Sequence, residues 1–284
     1  MAITIKTKKE INLLREGGRR LALVLERVAA AAAPGISTFE LDLLAEKLIV
    51  ESGGTPSFKG YRVSGVSAPY PATLCASIND EVVHAIPAKD KILHDGDIVS
   101  LDIGMWYPGN RGTGNWKPEM GDRTRILRHP ASGIPLSMVT DMAITIGIGK
   151  VSGEIERIII ATKESLDLGI TAVRPGAHIG DISHAVEQRL KKDHLGIVRD
   201  LAGHGVGYQL HEDPFIPNFG SPGTGPELKE DMVIAIEPMA TLGTWRVVLQ
   251  GDGWTYKTAD GSLAAHFEHT IAVTRDGAEV LTAK

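Results

Sequence analysis

The feature that most constrains how this chain can fold is a pattern that occurs twice. The segment APGISTFELDLLAEKL, from Ala33, runs from a helix end through Pro-Gly and a short link into an acidic helix start and an amphipathic helix. RPGAHIGDISHAVEQRLKK, from Arg174, repeats the plan, and the two Pro-Gly pairs lie 141 residues apart, about half of the 284-residue chain. HAIP (His84 to Pro87) follows the first copy and HEDP (His211 to Pro214) the second, after which come VSLDIG and VIAIEPM respectively. Each match is weak alone. Together they predict an α/β (α+β) fold of two related halves, with polar groups from each half meeting in the middle. No linker of disordered composition separates the halves, so residues 1–284 are expected to form one domain.

Local signals fill in the elements. Residues 8–33 carry apolar positions at helical spacing and stop at Pro34-Gly35. Ser37 to Glu40, STFE, is a capping box opening a second helix that ends at Gly53-Gly54. DIVSLDIG suits a buried strand, and a further helix is expected over roughly 152–172. Residues 105–121, rich in Gly, Pro and Trp, predict a loop or hairpin, and 128–151 reads as irregular.

The bulk chemistry excludes several classes. With 30 basic and 35 acidic side chains the net charge is −5, so no basic field advertises a nucleic-acid partner. A single cysteine, Cys75, excludes an intramolecular disulfide framework. The N-terminal residues turn charged without the apolar run of a signal peptide, and no apolar stretch is long enough to span a bilayer, so a cytoplasmic protein is expected.

Three acidic residues sit inside apolar, strand-like runs: Asp102 in VSLDIGM, Glu237 in VIAIEPM and Glu268 in AHFEHTIAV. Buried carboxylates are costly unless paired, hydrogen-bonded or bound to metal. A strand-end residue facing water is the ordinary reading of any one of them. It weakens for three in one chain, beside the glycine-framed His204 of GHGVGYQLHEDP. Asp122, in MGDRTRIL, offers a fourth carboxylate, although alone it reads as a turn residue after Gly121. One histidine and four carboxylates form an oxygen-rich set suited to a pair of divalent ions such as Mn²⁺, Fe²⁺, Co²⁺ or Zn²⁺.

In their order along the chain, CASINDEVVHAIP, LDIG, GD-x-T, GHGVGYQLHEDP, AIEPM and GWTYKT…AAHFEHTIAVT resemble the motifs of type I methionine aminopeptidases, metallopeptidases of pita-bread fold. The spacings after His204, 7 residues to His211, 33 to Glu237 and then 31 to Glu268, are similar to that group. The resemblance implies two pseudo-symmetric α/β halves around a central antiparallel sheet. It implies an enzyme that removes the initiator methionine when the second residue is small, by a metal-bridged hydroxide attacking the scissile carbonyl. The five metal ligands would be Asp102, Asp122, His204, Glu237 and Glu268. His84 and His211 would serve the substrate, with Glu237 also moving protons. Cys75, Tyr70 and Trp254 would line the methionine pocket, with Phe58, Tyr61 and Leu210 beside them. The implied partners are nascent polypeptide N-termini, with transient ribosome contact and no membrane, the enzyme acting as a monomer.

The chain departs from that pattern near 62–69, 105–121 and 128–151, which are longer than in the type I group, and GDRT stands where the tighter GDT is usual. Between Asp102 and Asp122 only Glu119 competes as a carboxylate. His94, His129, His178, His184 and His194 read as surface residues. His266 and His269 flank Glu268, and the alternation of a strand turns a neighbour of an inward residue away, so neither is given a role. The rival readings are an Xaa-Pro peptidase of the same fold and a pita-bread binding module without catalysis.

Overall fold

Thr7 and Glu10 start the first helix by satisfying each other's backbone. The Thr7 N–H donates to Glu10 Oε2 at 2.7 Å, and the Glu10 N–H donates to Thr7 Oγ1 at 3.3 Å. In the computed structural model, which describes residues 3–109 and 137–284, this opens α1 (Lys8–Ala31). The STFE box opens α2 (Thr38–Glu51) in the same way, with Ser37 N–H to Glu40 Oε2 at 2.9 Å. Strands β1 (Thr55–Pro56), β2 (Leu74–Ile78), β3 (Glu81–Val83), β4 (Ile98–Tyr107) and β5 (Met138–Gly147) follow. The second half supplies α3 (Gly153–Ala172) and α4 (Ile179–Lys192), then β6 (Gly196–Ile197), β7 (Ala202–Gly205), β8 (Glu212–Pro217) and β9 (Val233–Ile236). The remaining strands are β10 (Met239–Thr241), β11 (Val247–Leu249), β12 (Tyr256–Thr258), β13 (Ala264–His266), β14 (Glu268–Thr274) and β15 (Gly277–Val280).

The repeat is physical as well as textual. After the first Pro-Gly, Gly35 N–H donates to Leu93 O at 2.8 Å and Leu93 N–H to Ile36 O at 2.8 Å. After the second, Gly176 N–H donates to Leu228 O at 2.9 Å and Leu228 N–H to Ala177 O at 2.7 Å. Both glycines take left-handed φ, +90° and +83°, a conformation open to a residue without Cβ. Each half thus bends its helix pair back onto its own strands by the same device.

The nine-stranded antiparallel sheet runs β1-β4-β5-β14-β9-β7-β8, with β2 added to β4 and β15 to β14. Helices cover one face. Leu21, Leu25, Leu41 and Leu48 of α1 and α2 pack with Leu101, Ile103 and Met105 of β4. Ile158, Leu166, Ile182 and Val186 of α3 and α4 pack with Ile234, Ile236 and Ile271. Each such buried side chain contributes about 1.5–3 kcal/mol. Alternation then turns Asp102, Asp141, Ala235, Glu268 and Thr270 to the opposite face. This is the pita-bread fold, with the site on the face away from the helices. Among the described residues no helix is long and apolar enough to cross a membrane.

Residues 138–147, expected to be irregular, form strand β5 paired with β4 over its whole length. Two of its interior polar residues, Asp141 and Thr145, which obscure the pattern in sequence, have partners across the sheet. Thr145 Oγ1 donates to His266 O at 2.6 Å, and Thr270 Oγ1 donates to Asp141 O at 2.8 Å. Residues 105–107 extend β4 rather than opening a loop, and 110–121 lie outside the described residues.

A candidate metal centre beside an apolar pocket

Strand register assembles the cluster. Asp102 on β4 and Glu268 on β14 both pair with Ala143 of β5, placing two carboxylates in one row across three strands. Two residues along β5, Asp141 points to the same face, one row over. His204 of β7 pairs with Ala235, which in turn pairs with Thr270 of β14. Glu237 follows directly after β9, and its backbone carbonyl accepts from Asn218 Nδ2 at 3.1 Å. The His204 Nε2 atom therefore lies 3.6 Å from Asp141 Oδ2, 3.5 Å from Glu237 Oε1 and 3.9 Å from Glu268 Oε1. Asp141, His204 and Glu268 each offer a ligand atom within 4.8 Å of the others, a set that could hold a metal ion.

The electrostatics ask for a cation. His204 Nδ1 lies 2.9 Å from Gly205 O, and a carbonyl only accepts, so Nδ1 donates to it and Nε2 is the nitrogen turned to the carboxylates. Asp102 Oδ1 is buried with no hydrogen-bond partner among the described residues. Burial, then repulsion from Asp141 and Glu237, pushes Asp102 well above the usual carboxylate range. Burial raises Asp141 against the pull of His204, and drives Glu268 well up with help from Asp141, Glu237 and Asp102. Burial lifts Glu237 to about 8, against the opposing effect of His204. A divalent ion reverses that logic by favouring every ionised carboxylate, so the donor set fits one.

A cavity of about 460 Å³ opens onto the cluster. Its apolar part includes Phe58, Tyr61, Tyr70, Cys75, Leu210 and Trp254, and His84 and His211 stand in its wall with the acidic residues. Trp254 meets Tyr70 edge to face at 5.3 Å, and its Nε1 donates to Ala68 O at 3.3 Å. The Tyr70 hydroxyl lies 3.0 Å from both Leu74 O and Ala85 O, which fixes the ring. Burial lowers His84 to about 4 and His211 well below the ordinary imidazole value, so both are neutral at pH 7. His84 takes a left-handed φ of +57°, which lets the chain leave β3 while the ring stays in the cavity wall.

The structure thus brings together Asp102, His204, Glu237, Glu268, His84, His211 and the expected pocket residues. Asp122, like Glu119 and His129, lies outside the described residues. The fourth carboxylate described beside His204 is Asp141, which the sequence reading passed over. Its signal was available: VTDMAITIG has an aspartate inside an apolar run, the same criterion that selected Asp102. His266 is a correction. It lies two residues from Glu268, shares its parity, and is buried with Nε2 at 3.5 Å from Glu237 Oε2. His269, adjacent to Glu268, does point away, its Nδ1 lying 2.9 Å from Thr282 Oγ1. His94 and His194 are exposed, as expected.

An antiparallel sheet backed by two helix pairs, with buried carboxylates and a histidine on its open face, defines a metallohydrolase of pita-bread architecture. The chain belongs to metallopeptidase family M24, whose model matches residues 12–114 and 132–275. A methionine aminopeptidase of Clostridium acetobutylicum is 40% identical over 280 residues, covering 99% of this chain and 98% of that protein. Methionine aminopeptidase 1 of Mycobacterium tuberculosis is 44% identical, covering 96% of this chain and 92% of its own. The crystal structure of methionine aminopeptidase from Thermotoga maritima superposes with a TM-score of 0.86 at 37% identity, with both chains covered completely. An Xaa-Pro dipeptidase from Bacillus anthracis shares the fold, with a TM-score of 0.69 at 20% identity, and this chain covers 62% of it.

Proposed function

We propose that this protein is a methionine aminopeptidase that releases the N-terminal methionine of new polypeptides with a small second residue. The observation that carries the reading is the continuity of the cavity. An apolar pocket walled by Phe58, Tyr70, Cys75, Leu210 and Trp254 opens on the acid–histidine cluster with no element between them. A flexible thioether suits such a wall, and the amide next to it would lie at the cluster. In this reading Asp102, Asp141, His204, Glu237 and Glu268 hold two divalent ions, the four carboxylates balancing their charge. Asp141 takes the place that the sequence comparison gave to Asp122. Ions held there supply Lewis-acid polarisation and make a water nucleophilic near neutral pH.

The chain's own groups do the rest. Glu237, whose Oε1 stands 3.5 Å from His204 Nε2 in the cluster, carries protons to and from the attacking water. His211 donates to the carbonyl oxygen as negative charge develops on it. His84, on the cavity wall, meets the scissile amide nitrogen. The apolar wall excludes water and orients the methionine.

The test is peptide hydrolysis by the full chain with added Mn²⁺, Co²⁺ or Fe²⁺. Methionine should be released from Met-Ala-Ser, release should stop with a chelator, and an Xaa-Pro dipeptide and Leu-Ala-Ser should be poor substrates. Preferential cleavage of the Xaa-Pro peptide would move the assignment to the rival enzyme class. No cleavage of any peptide, beside an active control enzyme, would favour a binding module.

A further inference from the structure

The two histidines of the 203–214 loop are held by neighbours of opposite hydrogen-bonding character. His204 Nδ1 faces the Gly205 carbonyl, which can only accept. His211 Nδ1 faces the Tyr61 hydroxyl at 2.7 Å, and a phenol donates readily. We propose that the Tyr61 hydroxyl donates to Nδ1 of His211 and so fixes the tautomer whose Nε2 carries the proton, making Tyr61 the positioning residue for the substrate-facing N–H.

Two observations hold the pair in place, and a third favours that direction of donation. The first is placement: Tyr61 is anchored by its backbone at the base of the 61–70 loop. Its N–H donates to Phe58 O at 2.8 Å, its carbonyl accepts from Tyr70 N–H at 2.8 Å, and Gly60 N–H donates to Tyr70 O at 2.8 Å. The second is confinement: the His211 ring lies between Tyr61, with centroids 5.3 Å apart, and His204, at 4.4 Å and 68°. A ring wedged so cannot flip to exchange its nitrogens without displacing a neighbour. The third is what Nε2 faces: with Nδ1 taken by the phenol, Nε2 is the ring nitrogen left for a cavity that Asp102, Asp141, Glu237 and Glu268 also line. Carboxyl oxygens accept an N–H in either protonation state.

The consequence is a division of labour set by one hydrogen bond each. His204, protonated on Nδ1, offers Nε2 as a ligand. His211, accepting on Nδ1, offers Nε2–H as a donor, which a developing oxyanion requires and a bare nitrogen cannot supply. The sequence comparison put Tyr61 in the methionine pocket; the geometry gives it a second task, exerted through His211. That the N–H serves a substrate carbonyl rests on the aminopeptidase reading, whereas the tautomer does not.

The experiment is ¹⁵N NMR of the full chain, metal-free and labelled at histidine, with the His211 signals assigned by their loss in His211→Asn. The wild type should show His211 protonated at Nε2, and Tyr61→Phe, which keeps the ring and removes the hydroxyl, should mix the tautomers. With metal added, Tyr61→Phe should lower kcat roughly 10-fold with KM nearly unchanged, in line with the loss of a group that orients a catalytic histidine. Protonation at Nδ1 in the wild type would overturn the proposal, and that result needs no variant to fold. An unchanged tautomer in Tyr61→Phe would overturn it as well. An Nε2–H tautomer that depends on Tyr61, in a protein that releases no methionine, would uphold the assignment and sink the aminopeptidase reading instead.

Discussion

Asp141 carries the sharpest consequence at the scale of single residues. It lies inside an apolar run in the sequence, as Asp102 does, but that it stands beside His204 depends on which strand pairs with β4. The register places Asp141 one row from Asp102 and Glu268 and 3.6 Å from His204, while Asp122 lies outside the described residues. Asp141→Asn should therefore abolish stoichiometric Mn²⁺ binding in calorimetry, while Asp122→Asn should bind as the wild type does. The reverse pattern would return Asp122 to the centre and remove Asp141 from it. His266 shows the same limit from the other side. Its parity with Glu268 is written in the sequence, but its approach to Glu237 depends on where β9 ends.

Among the elements, the helices announce themselves because their start signals are local. Ser37 and Glu40 satisfy one another's backbone three residues apart, a distance that any reader of the sequence can count. The Ser37 hydroxyl, with the Ser37 N–H, holds the Glu40 carboxyl below its ordinary value. A depressed folded pKa stabilises at pH values above the unfolded pKa, and that stabilisation disappears as pH falls through the folded pKa. Glu40→Gln should accordingly lower the melting temperature at neutral pH and leave it equal to wild type in acid below the carboxylate range. A melting difference that persisted unchanged in acid would mean that the charge plays no part in this cap. Strand β5 was illegible for the opposite reason. Its Asp141 and Thr145 find partners in Thr270 and His266, 129 and 121 residues away, and a local pattern cannot register partners at that distance.

At the scale of the whole molecule, Lys6, ahead of α1, is locked under the loop that carries both site histidines. Lys6 Nζ, with no exposed side-chain surface, lies 2.7 Å from Glu212 Oε2 and 4.2 Å from the Tyr208 ring centroid. Glu212 Oε1 in turn accepts from the Tyr208 and Gln209 N–H groups at 2.5 and 2.9 Å, and Lys6 N–H donates to Asp231 O at 2.9 Å. Burial pulls the Lys6 ammonium down from its ordinary value, and Glu212 opposes that pull. Removing one partner of a buried pair leaves an uncompensated charge, at a cost of about 3–5 kcal/mol. Lys6→Met should destabilise the protein by about that much in urea unfolding, and adding Glu212→Gln should recover part of the loss. Equal stability of Lys6→Met and wild type would show that the pair is incidental to the fold.

The sequence by itself determined the doubled plan, the helix starts, and the inward parity of Asp102 and Glu268, because each depends on residues a few positions apart. It also carried the family through motifs spread along nearly the whole chain. Only the tertiary structure decided that Asp141 stands beside His204, that His266 reaches Glu237, and that Tyr61 meets His211 across 150 residues. Those pairings follow from strand register and from the closure of two halves on one another. Both are properties of packing between distant segments, and no local pattern of residues encodes them.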